Sequence, residues 1–362
     1  MQLPLALRTA RGILRRHHPD YLIYYATYEC NLNCPHCFNR SLRASHCQEA
    51  PLTVPELIRI AASLRPMLHL LVSGGEPFLR DDLEDVISAF IIHARVRFVG
   101  IPTNGTLTSR LLSSMTGLLG RHPHVRFNLN LSIDGLESHH DLMCGRPGAF
   151  GQLLATAEAL QPLRVRFNNL GVTVLSVMNR TSYPGLEELK RFVTDRIRPD
   201  YHDVGIERAY FSDPTQQEWV EARLAELGRY AGSQTTAGTG SIQRTVAGMQ
   251  LKVMGDVLKY RRMTFPCLAG RKMAVVTPGG LVYPCEPLWL EKERFPALRD
   301  YRIGSFRVAD CSWSGIRRTD QYRAITELIH RRFCHCTWEC AIFNSIQYNP
   351  WFALEMWRRL HS

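Results

Sequence analysis

The feature that most constrains the fold is a regular alternation of short apolar runs with longer amphipathic stretches, which extends from Tyr21 to about Arg208. This alternation predicts parallel strands joined by crossover helices, because parallel neighbours need a connection of a dozen or more residues. The predicted strands are Leu22–Thr27, His69–Ser73, Arg97–Pro102, Phe127–Ile133, Asn169–Val177 and His202–Glu207. The predicted helices are Val54–Leu64, which Thr53 and Glu56 open as a capping box, then Leu83–His93, Ser109–Leu119, Gln152–Leu160 and Leu186–Ile197.

Polar or glycine-rich motifs follow each of the first four predicted strands. In a parallel sheet or barrel, functional groups collect on the loops after the carboxyl ends of the strands. These four motifs are therefore expected on one rim. In chain order they are Cys30, Cys34 and Cys37; Gly74-Gly75-Glu76-Pro77; Thr103-Asn104-Gly105; and Ser132-Ile133-Asp134-Gly135.

The first motif supplies three thiols with the spacing C-x3-C-x2-C. A closed zinc site or a fully protein-ligated iron–sulfur cluster takes four protein ligands, so a trio suggests a cluster with one iron left open. A substrate can bind at such an open iron. Two other interpretations remain: His36 or Cys47 completes an ordinary metal site, or the thiols are reduced and inert.

A second cysteine group follows the point near residue 210 where the alternation stops. Residues 211–262 are predicted as a helical linker, with helices over Gln217–Tyr230 and Ile242–Arg261 around a flexible stretch, Ala231–Ser241. A predicted hairpin of Ala274–Thr277 and Leu281–Tyr283 would then bring Cys267 and Cys285 together. The remaining cysteines of this group are Cys334, Cys336 and Cys340.

Five cysteines are enough for one four-ligand site but not for two. Our first choice of ligands is Cys267, Cys285, Cys336 and Cys340, with Cys334 as the replacement. A structural zinc site is the alternative at this position, since four thiolates suit tetrahedral zinc.

The composition narrows the class of protein. The 362 residues suffice for two structural units, and no apolar run reaches the roughly 18 to 20 residues that a membrane span needs. The formal charge of +11 counts the cysteines as neutral, so metal-bound thiolates would cancel much of this positive charge. The basic residues are scattered, and no stripe of alternating aromatic and basic residues is present in the sequence. We therefore expect no nucleic-acid partner.

The eleven cysteines lie mainly in two short groups in a chain without an export signal, which indicates metal binding in a reducing compartment, the cytoplasm. Residues 1–20 are predicted as a basic amphipathic helix. That helix either packs on the body of the protein or makes peripheral contact with an anionic membrane surface or an acidic partner.

The cysteine trio, followed by Gly74-Gly75-Glu76-Pro77 after the second strand, resembles the radical S-adenosylmethionine (radical SAM) enzymes. The resemblance implies a [4Fe–4S] cluster on Cys30, Cys34 and Cys37, with S-adenosylmethionine bound to the fourth iron. It also implies a 5′-deoxyadenosyl radical, and an electron donor of the flavodoxin or ferredoxin type. The cofactor contacts implied by position are His36 near the adenine, Gly74, Gly75 and Glu76 at the amino group, and Asn104, Ser132 and Asp134 at the ribose and carboxylate.

For the fold, the resemblance implies an α/β architecture: a partial (β/α)6 TIM-like barrel over residues 21–210. The second cysteine group resembles the SPASM/twitch extension of the same family, which implies a small α+β domain over 263–345 with one auxiliary [4Fe–4S] cluster, followed by a C-terminal helix over 346–362. The stretch Asp141–Phe150 is similar to a segment of that branch, which implies that Arg146 faces the active site. A position on the surface is the alternative for Arg146. We interpret Cys144 as a buried thiol and Trp338 as a shield for the auxiliary cluster.

The function implied by this resemblance is hydrogen abstraction from a substrate, with oxidation or epimerisation of a small molecule or sugar as the first hypothesis. Residues 1–20 are too short for a leader-docking domain, which favours this hypothesis over peptide modification, the alternative. A non-catalytic zinc-binding protein is the distant alternative. No residue is assigned as catalytic acid or base; Cys47, Cys311, Tyr210 and Arg208 are positional candidates only.

Overall fold

The computed structural model of the protein describes residues 15, 17–46, 49–207, 214–234, 239–290, 300–331 and 334–349. One sheet of nine strands dominates this part of the chain, in the order β6-β5-β4-β3-β2-β1-β7-β8-β9. The strands are β1 (Tyr21–Tyr25), β2 (His69–Ser73), β3 (Phe98–Thr103), β4 (Arg126–Ser132), β5 (Leu170–Met178), β6 (Tyr201–Ile206), β7 (Met273–Val276), β8 (Leu281–Tyr283) and β9 (Gly304–Ser305).

Strands β1 to β6 are parallel and adjacent in chain order, as predicted, with bounds that differ from the prediction by two residues at most. Strand β4 shows why the sheet forms. Phe127, Leu129 and Leu131 are completely buried, whereas Asn128 and Asn130 between them are only half-buried. This period of two separates an apolar face from a polar one. The predicted α/β class with a parallel, TIM-like partial barrel is confirmed.

Helices connect the parallel strands. They are α1 (Asn39–His46), α2 (Val54–Ser63), α3 (Leu83–His93), α4 (Thr108–Arg121), α5 (Glu137–Cys144), α6 (Ala149–Ala159), α7 (Gln161–Arg166) and α8 (Leu186–Phe192). The predicted capping box opens α2, with Thr53 and Glu56 each accepting a backbone N–H. Helices α1, α5 and α7 were not predicted. They are short, and α1 has no acidic residue in its first turn to mark its start.

The remaining helices lie in the C-terminal half: α9 (Pro214–Ser233), α10 (Thr239–Tyr260), α11 (Glu286–Leu290), α12 (Trp313–Arg317), α13 (Asp320–His330) and α14 (Glu339–Gln347). The predicted flexible stretch Ala231–Ser241 is wrong at both ends, because α9 continues to Ser233 and α10 starts at Thr239. These two helices pack together, and this packing outweighs the weak helix propensity of glycine, serine and threonine. Residues 235–238 lie outside the described part.

The two predicted terminal helices fall mostly outside the described residues. Of residues 1–20, only 15 and 17–20 are described, and 17–20 are turn and bend, not helix. Of residues 346–362, Ile346 and Gln347 end helix α14, and 350–362 are not described. Within the described chain, none of the helices combines the length and apolar character that crossing a membrane requires.

The hairpin predicted for the second cysteine group is present, but it extends the main sheet. Strand β7 pairs with β1 in parallel, with Leu22 opposite Ala274, and β8 and β9 continue antiparallel. The sequence analysis predicted six strands for the parallel series and treated the hairpin as separate from them. The hairpin supplies backbone partners to the edge of β1, which would otherwise be exposed. The barrel core and the second cysteine group therefore share one sheet.

A buried ion pair closes the amino-terminal end of this junction. The Nζ atom of Lys272, whose side chain is 3% exposed, lies 3.1 Å from Oδ2 of Asp20, which directly precedes β1. The same ammonium group donates to the carbonyl of Arg15 at 2.7 Å and lies 5.0 Å from the ring centroid of Tyr348. Burial lowers the pKa of Lys272 and raises that of Asp20. Each charge therefore depends on the other for compensation.

We expect Lys272→Met to destabilise the protein by about 3–5 kcal/mol, because it leaves the Asp20 carboxyl buried without its cation. Lys252→Met is the matched control, since Lys252 is exposed on α10. Urea denaturation measures both changes, and adding Asp20→Asn to Lys272→Met should recover part of the loss. Equal effects of the Lys272 and Lys252 substitutions would contradict this account.

Candidate functional site

The cysteine trio lies in the loop after β1, at the carboxyl ends of the parallel strands. The side chains of Cys30, Cys34 and Cys37 are all half-buried. Arg43 of α1 holds this loop by donating to the carbonyls of Leu32 at 3.1 Å and Cys30 at 3.2 Å. Burial is the main cause that raises the pKa values of Cys30 and Cys37, and the charge of Cys34 adds to it. The three thiols are therefore close neighbours on an accessible rim.

The donor set of three half-buried thiols fits an iron–sulfur cluster that takes three protein ligands. Across the described residues, no group of three or more His, Cys, Asp or Glu side chains is placed to hold one metal ion. A zinc site would draw four ligands to within about 2.3 Å of one point. An iron–sulfur cluster instead takes each thiolate on a different iron, so its ligands stand farther apart. Three mutually adjacent, half-buried thiols fit that requirement.

The two glycines of the second motif allow its loop to lie against the backbone before the trio. Gly75 donates from its N–H to the carbonyl of Thr27 at 2.9 Å, and Glu76 to the carbonyl of Glu29 at 2.8 Å. A Cβ atom on Gly75 would lie 1.9 Å from the carbonyl oxygen of Glu29. Gly74 has a φ of +144°, and a Cβ atom there would lie 2.4 Å from the carbonyl oxygen of Thr27. The glycines thus bring the motif next to Cys30.

Gly75→Ala should destabilise the protein by about 3 kcal/mol or more, because the new methyl group overlaps backbone that cannot move without displacing the cysteine loop. Gly151→Ala is the control: Gly151 lies on α6, a Cβ atom there would meet no other atom within 4 Å, and alanine favours the helix. Thermal unfolding and iron content after reconstitution measure the effect. A Gly75→Ala protein as stable and iron-rich as Gly151→Ala would rule out the close approach.

Glu76 is a buried carboxyl that ties the second and third loops together. Its Oε1 accepts hydrogen bonds from the Phe78 N–H at 3.2 Å and the Thr103 hydroxyl at 3.0 Å, and its Oε2 accepts from the Asn104 N–H at 2.8 Å. Burial raises its pKa to about 7, against the opposing effect of these three donors. The carboxyl is therefore poised between its neutral and charged forms near neutral pH.

The shifted pKa of Glu76 predicts a pH dependence of stability. Between pH 4.5 and 7 the native carboxyl retains a proton that the unfolded one has lost, so the free energy of unfolding falls as the pH rises through this window. From about pH 5.5 to 7.5 the loss attributable to Glu76 should be about 2 kcal/mol. Urea denaturation at the two pH values measures the free energy of unfolding, and Glu76→Gln should lack this part of its pH dependence. Parallel profiles for wild type and Glu76→Gln would refute it.

Asn104 connects the third loop to the trio. Its side-chain amide nitrogen lies 3.9 Å from the Cys30 sulfur and donates to the side-chain oxygen Oδ1 of Asn31 at 2.9 Å. Its own amide oxygen accepts from the Thr106 N–H at 2.9 Å, which fixes the orientation of the amide. Of the predicted cofactor contacts, Asn104 is thus placed directly at a cysteine.

His36 and Asp134 meet across the rim. Nε2 of His36 lies 3.5 Å from Oδ2 of Asp134, and the other carboxylate oxygen accepts from the Val177 N–H at 2.7 Å. Burial lowers the pKa of His36, but the hydrogen bond and charge of Asp134 outweigh it and raise the pKa overall. The Nδ1 atom of His36 is buried and has no hydrogen-bond partner among the described residues. Ser132, the last residue of β4, is half-buried two residues before Asp134.

The second cysteine group is more deeply buried than the trio. Cys267, Cys285, Cys334 and Cys336 are each at most 6% exposed. Burial is the main cause that raises the pKa of Cys285 well above its usual value. The charges of Cys334, Cys336 and Cys267 raise it further. These four thiols are therefore neighbours. Cys334, the replacement in our prediction, is among these four thiols, and Cys340 is half-buried in the first turn of α14.

A carboxylate next to Cys285 connects this group to the barrel. Glu286 accepts a hydrogen bond from the Tyr25 hydroxyl at 2.7 Å and another from the Trp338 indole N–H. Tyr25 ends β1, and Trp338 stands two residues after Cys336. The Trp338 ring in turn meets Phe38, which follows Cys37, edge-on at 5.6 Å. Side-chain contacts through Glu286, Trp338 and Phe38 thus connect the neighbours of Cys285 and Cys37.

The other candidate residues are dispersed. Arg146 is half-buried just after α5. Cys311 is buried, and its charged neighbours are Arg59, Glu56, Asp310 and Arg307, with no thiol among them. Cys47, Arg208 and Tyr210 lie outside the described residues. Sequence reasoning missed Arg43, Asn31 and Glu286, because their roles arise from contacts between segments and no local motif marks them.

Comparison with known proteins identifies the class. The profile of the Radical SAM superfamily matches residues 24–204, which is half of the chain, and the chain belongs to this superfamily. The AdoMet-dependent heme synthase of Methanosarcina barkeri (strain Fusaro / DSM 804) is 28% identical over 310 residues, which cover 78% of this chain and 85% of that protein. The GTP 3′,8-cyclase of Synechococcus elongatus is 28% identical over 190 residues, which cover 51% of this chain and only 55% of the cyclase.

Solved structures show the same fold over most of the chain. Native anSMEcpe with bound AdoMet has a TM-score of 0.60 at 16% sequence identity, covering 94% of this chain and 96% of that one. Streptococcus suis SuiB bound to the precursor peptide SuiA has a TM-score of 0.52 at 16% identity, covering 80% of this chain and 65% of SuiB. The likeness extends beyond the superfamily profile into the C-terminal half.

Proposed function

We propose that this chain cleaves S-adenosylmethionine reductively and abstracts a hydrogen atom from its substrate. The observation that carries the proposal is the convergence of three half-buried thiols with the second and third loops on one rim. When bound, the [4Fe–4S] cluster and S-adenosylmethionine would supply the 5′-deoxyadenosyl radical. Cys30, Cys34 and Cys37 would hold the cluster, and the residues around them would orient the cofactor.

The surrounding side chains suit that orienting task. Glu76 presents a carboxyl that three protein donors hold in place, which suits recognition of an ammonium group. His36 offers a buried nitrogen with no partner among the described residues, in a ring that Asp134 orients. We assign Gly74 and Gly75 the task of bringing this loop to the cluster, and Asn104, Ser132 and Asp134 that of contacting the ribose and carboxylate.

We further propose that the second cysteine group holds one auxiliary [4Fe–4S] cluster in a SPASM/twitch-type domain over residues 263–345. The burial of Cys267, Cys285, Cys334 and Cys336, and the charges of the other three acting on Cys285, support these four as ligands, with Cys340 as the remaining candidate. Their burial would exclude water and oxidants from the cluster. The concentration of cysteines in two short groups supports a reducing compartment such as the cytoplasm. The electron would come from a flavodoxin- or ferredoxin-type donor.

For the substrate, we propose a small molecule that is oxidised or epimerised. The relative that matches this chain over 85% of its own length is a heme synthase by name, and heme is a small molecule. Peptide modification is the second candidate; the likeness to SuiB bound to its precursor peptide concerns the fold alone. The neighbourhood of the coding sequence separates the two: a short peptide gene indicates a peptide substrate, and sugar-modifying genes indicate a small molecule.

Anaerobic reconstitution tests the proposal. The wild-type chain should bind about eight irons and about eight sulfides and release 5′-deoxyadenosine on reduction with S-adenosylmethionine. Cys34→Ala should abolish 5′-deoxyadenosine formation while retaining about four irons, because the second group binds independently. Cys311→Ala, which removes a buried thiol that belongs to neither cysteine group, should behave as wild type. Stoichiometric zinc without cofactor cleavage would refute an enzyme of this class.

A further inference from the structure

A fourth thiol lies directly against the cysteine trio. Cys144 ends helix α5 and packs with Leu32 and Ala149 against Cys30 and Cys34. Its backbone carbonyl accepts from the Asn33 N–H at 3.2 Å. The next residue, Gly145, has a φ of +66° and lies so close that a Cβ atom there would be 2.8 Å from the Asn33 carbonyl oxygen. Backbone contacts therefore fix the end of α5 against the cysteine loop without any metal.

The direction of the hydrogen bonds at Cys144 follows from its neighbour His140, which is completely buried. The Asp134 N–H donates to Nδ1 of His140 at 3.2 Å, so this nitrogen accepts. A ring nitrogen that accepts a hydrogen bond carries no proton, so the proton of the imidazole is on Nε2. Nε2 lies 3.2 Å from the Cys144 sulfur and donates to it. The S–H of Cys144 is then left to donate elsewhere.

That remaining proton points to Cys34. Cys144 packs against Cys34, and their two side chains lie within hydrogen-bonding reach of each other. Cys144 is the donor and Cys34 the acceptor. A thiol that keeps its proton is not a metal ligand, because metals bind the thiolate. Cys144 is also 4% exposed, whereas the three cysteines of the trio are half-buried.

We propose that Cys144 is a positioning residue whose S–H, oriented by His140, hydrogen-bonds the Cys34 sulfur and raises the reduction potential of the cluster on the trio. The inference rests on the proposed function, since it requires a cluster at Cys30, Cys34 and Cys37. A donor to a ligand sulfur stabilises the reduced cluster, which carries one more negative charge, more than the oxidised cluster. The cluster would then accept an electron from a weaker reductant.

The test is a redox titration of the reconstituted protein that is monitored by electron paramagnetic resonance. The signal of the cluster on the trio is identified as the one that the Cys34→Ala protein lacks. Cys144→Ala should shift the midpoint potential to more negative values. At a fixed applied potential, its ratio of reduced to oxidised cluster should fall about tenfold, which is about 59 mV for one electron. Cys144→Ser should restore most of the potential, because its hydroxyl can donate to Cys34. His140→Phe should give an intermediate shift, and Cys311→Ala none.

Each result has a distinct meaning. A wild-type potential in Cys144→Ala with full iron content overturns this inference alone. Loss of about four irons from Cys144→Ala would overturn it too, since Cys144 would then be a cluster ligand. If Cys144→Ser shifts as far as Cys144→Ala, packing and not hydrogen bonding is responsible, and the inference is wrong. Absence of any cluster on the trio in the wild-type protein would refute the proposed function itself.

Discussion

The buried carboxyl of Glu76 is the interaction on which the rim depends. Hydrogen bonds from Phe78, Thr103 and Asn104 converge on its two oxygens and join the loops after β2 and β3. The backbone N–H of Glu76 holds the loop after β1 through the Glu29 carbonyl. Removing such a group would leave several buried donors without acceptors, which costs far more than each hydrogen bond contributes when made. Three loops from three strands thus share one fixed point.

A second set of contacts gives the two cysteine groups a common frame. Glu286 accepts from Tyr25 of the barrel and from Trp338 beside the second group, so its carboxylate satisfies one donor from each side. Trp289 adds an edge-on contact with Tyr25 at 4.7 Å. Buried aromatic rings supply large contact area, and a shared acceptor fixes their orientation. The position of the second group relative to the rim is therefore set by side chains as well as by the sheet.

The sequence was sufficient to predict the parallel core, because its signals are local. The period of two in β4 and the capping box at Thr53 and Glu56 are readable from adjacent residues. The rim was predictable for the same reason: each motif directly follows a strand. The continuation of the sheet through β7 was not, because pairing Leu22 with Ala274 joins segments that are far apart in the chain and leaves no local pattern. Glu286, Arg43 and His140 escaped prediction likewise, since their roles depend on partners that no local motif marks.

The pairing of β1 with β7 also affects how the protein can be divided and how it folds. Cutting the chain before β7 would expose the backbone of β1 along its whole length, an open edge that invites association with other chains. A cut before Lys272, the residue that directly precedes β7, would also remove the cation that pairs with Asp20. The strand that carries the cysteine trio thus obtains one of its two neighbours from the far end of the sequence. During synthesis, the outer edge of β1 would remain unpaired until that distant strand emerged, so the strand that leads into the cysteine trio acquires its second neighbour late.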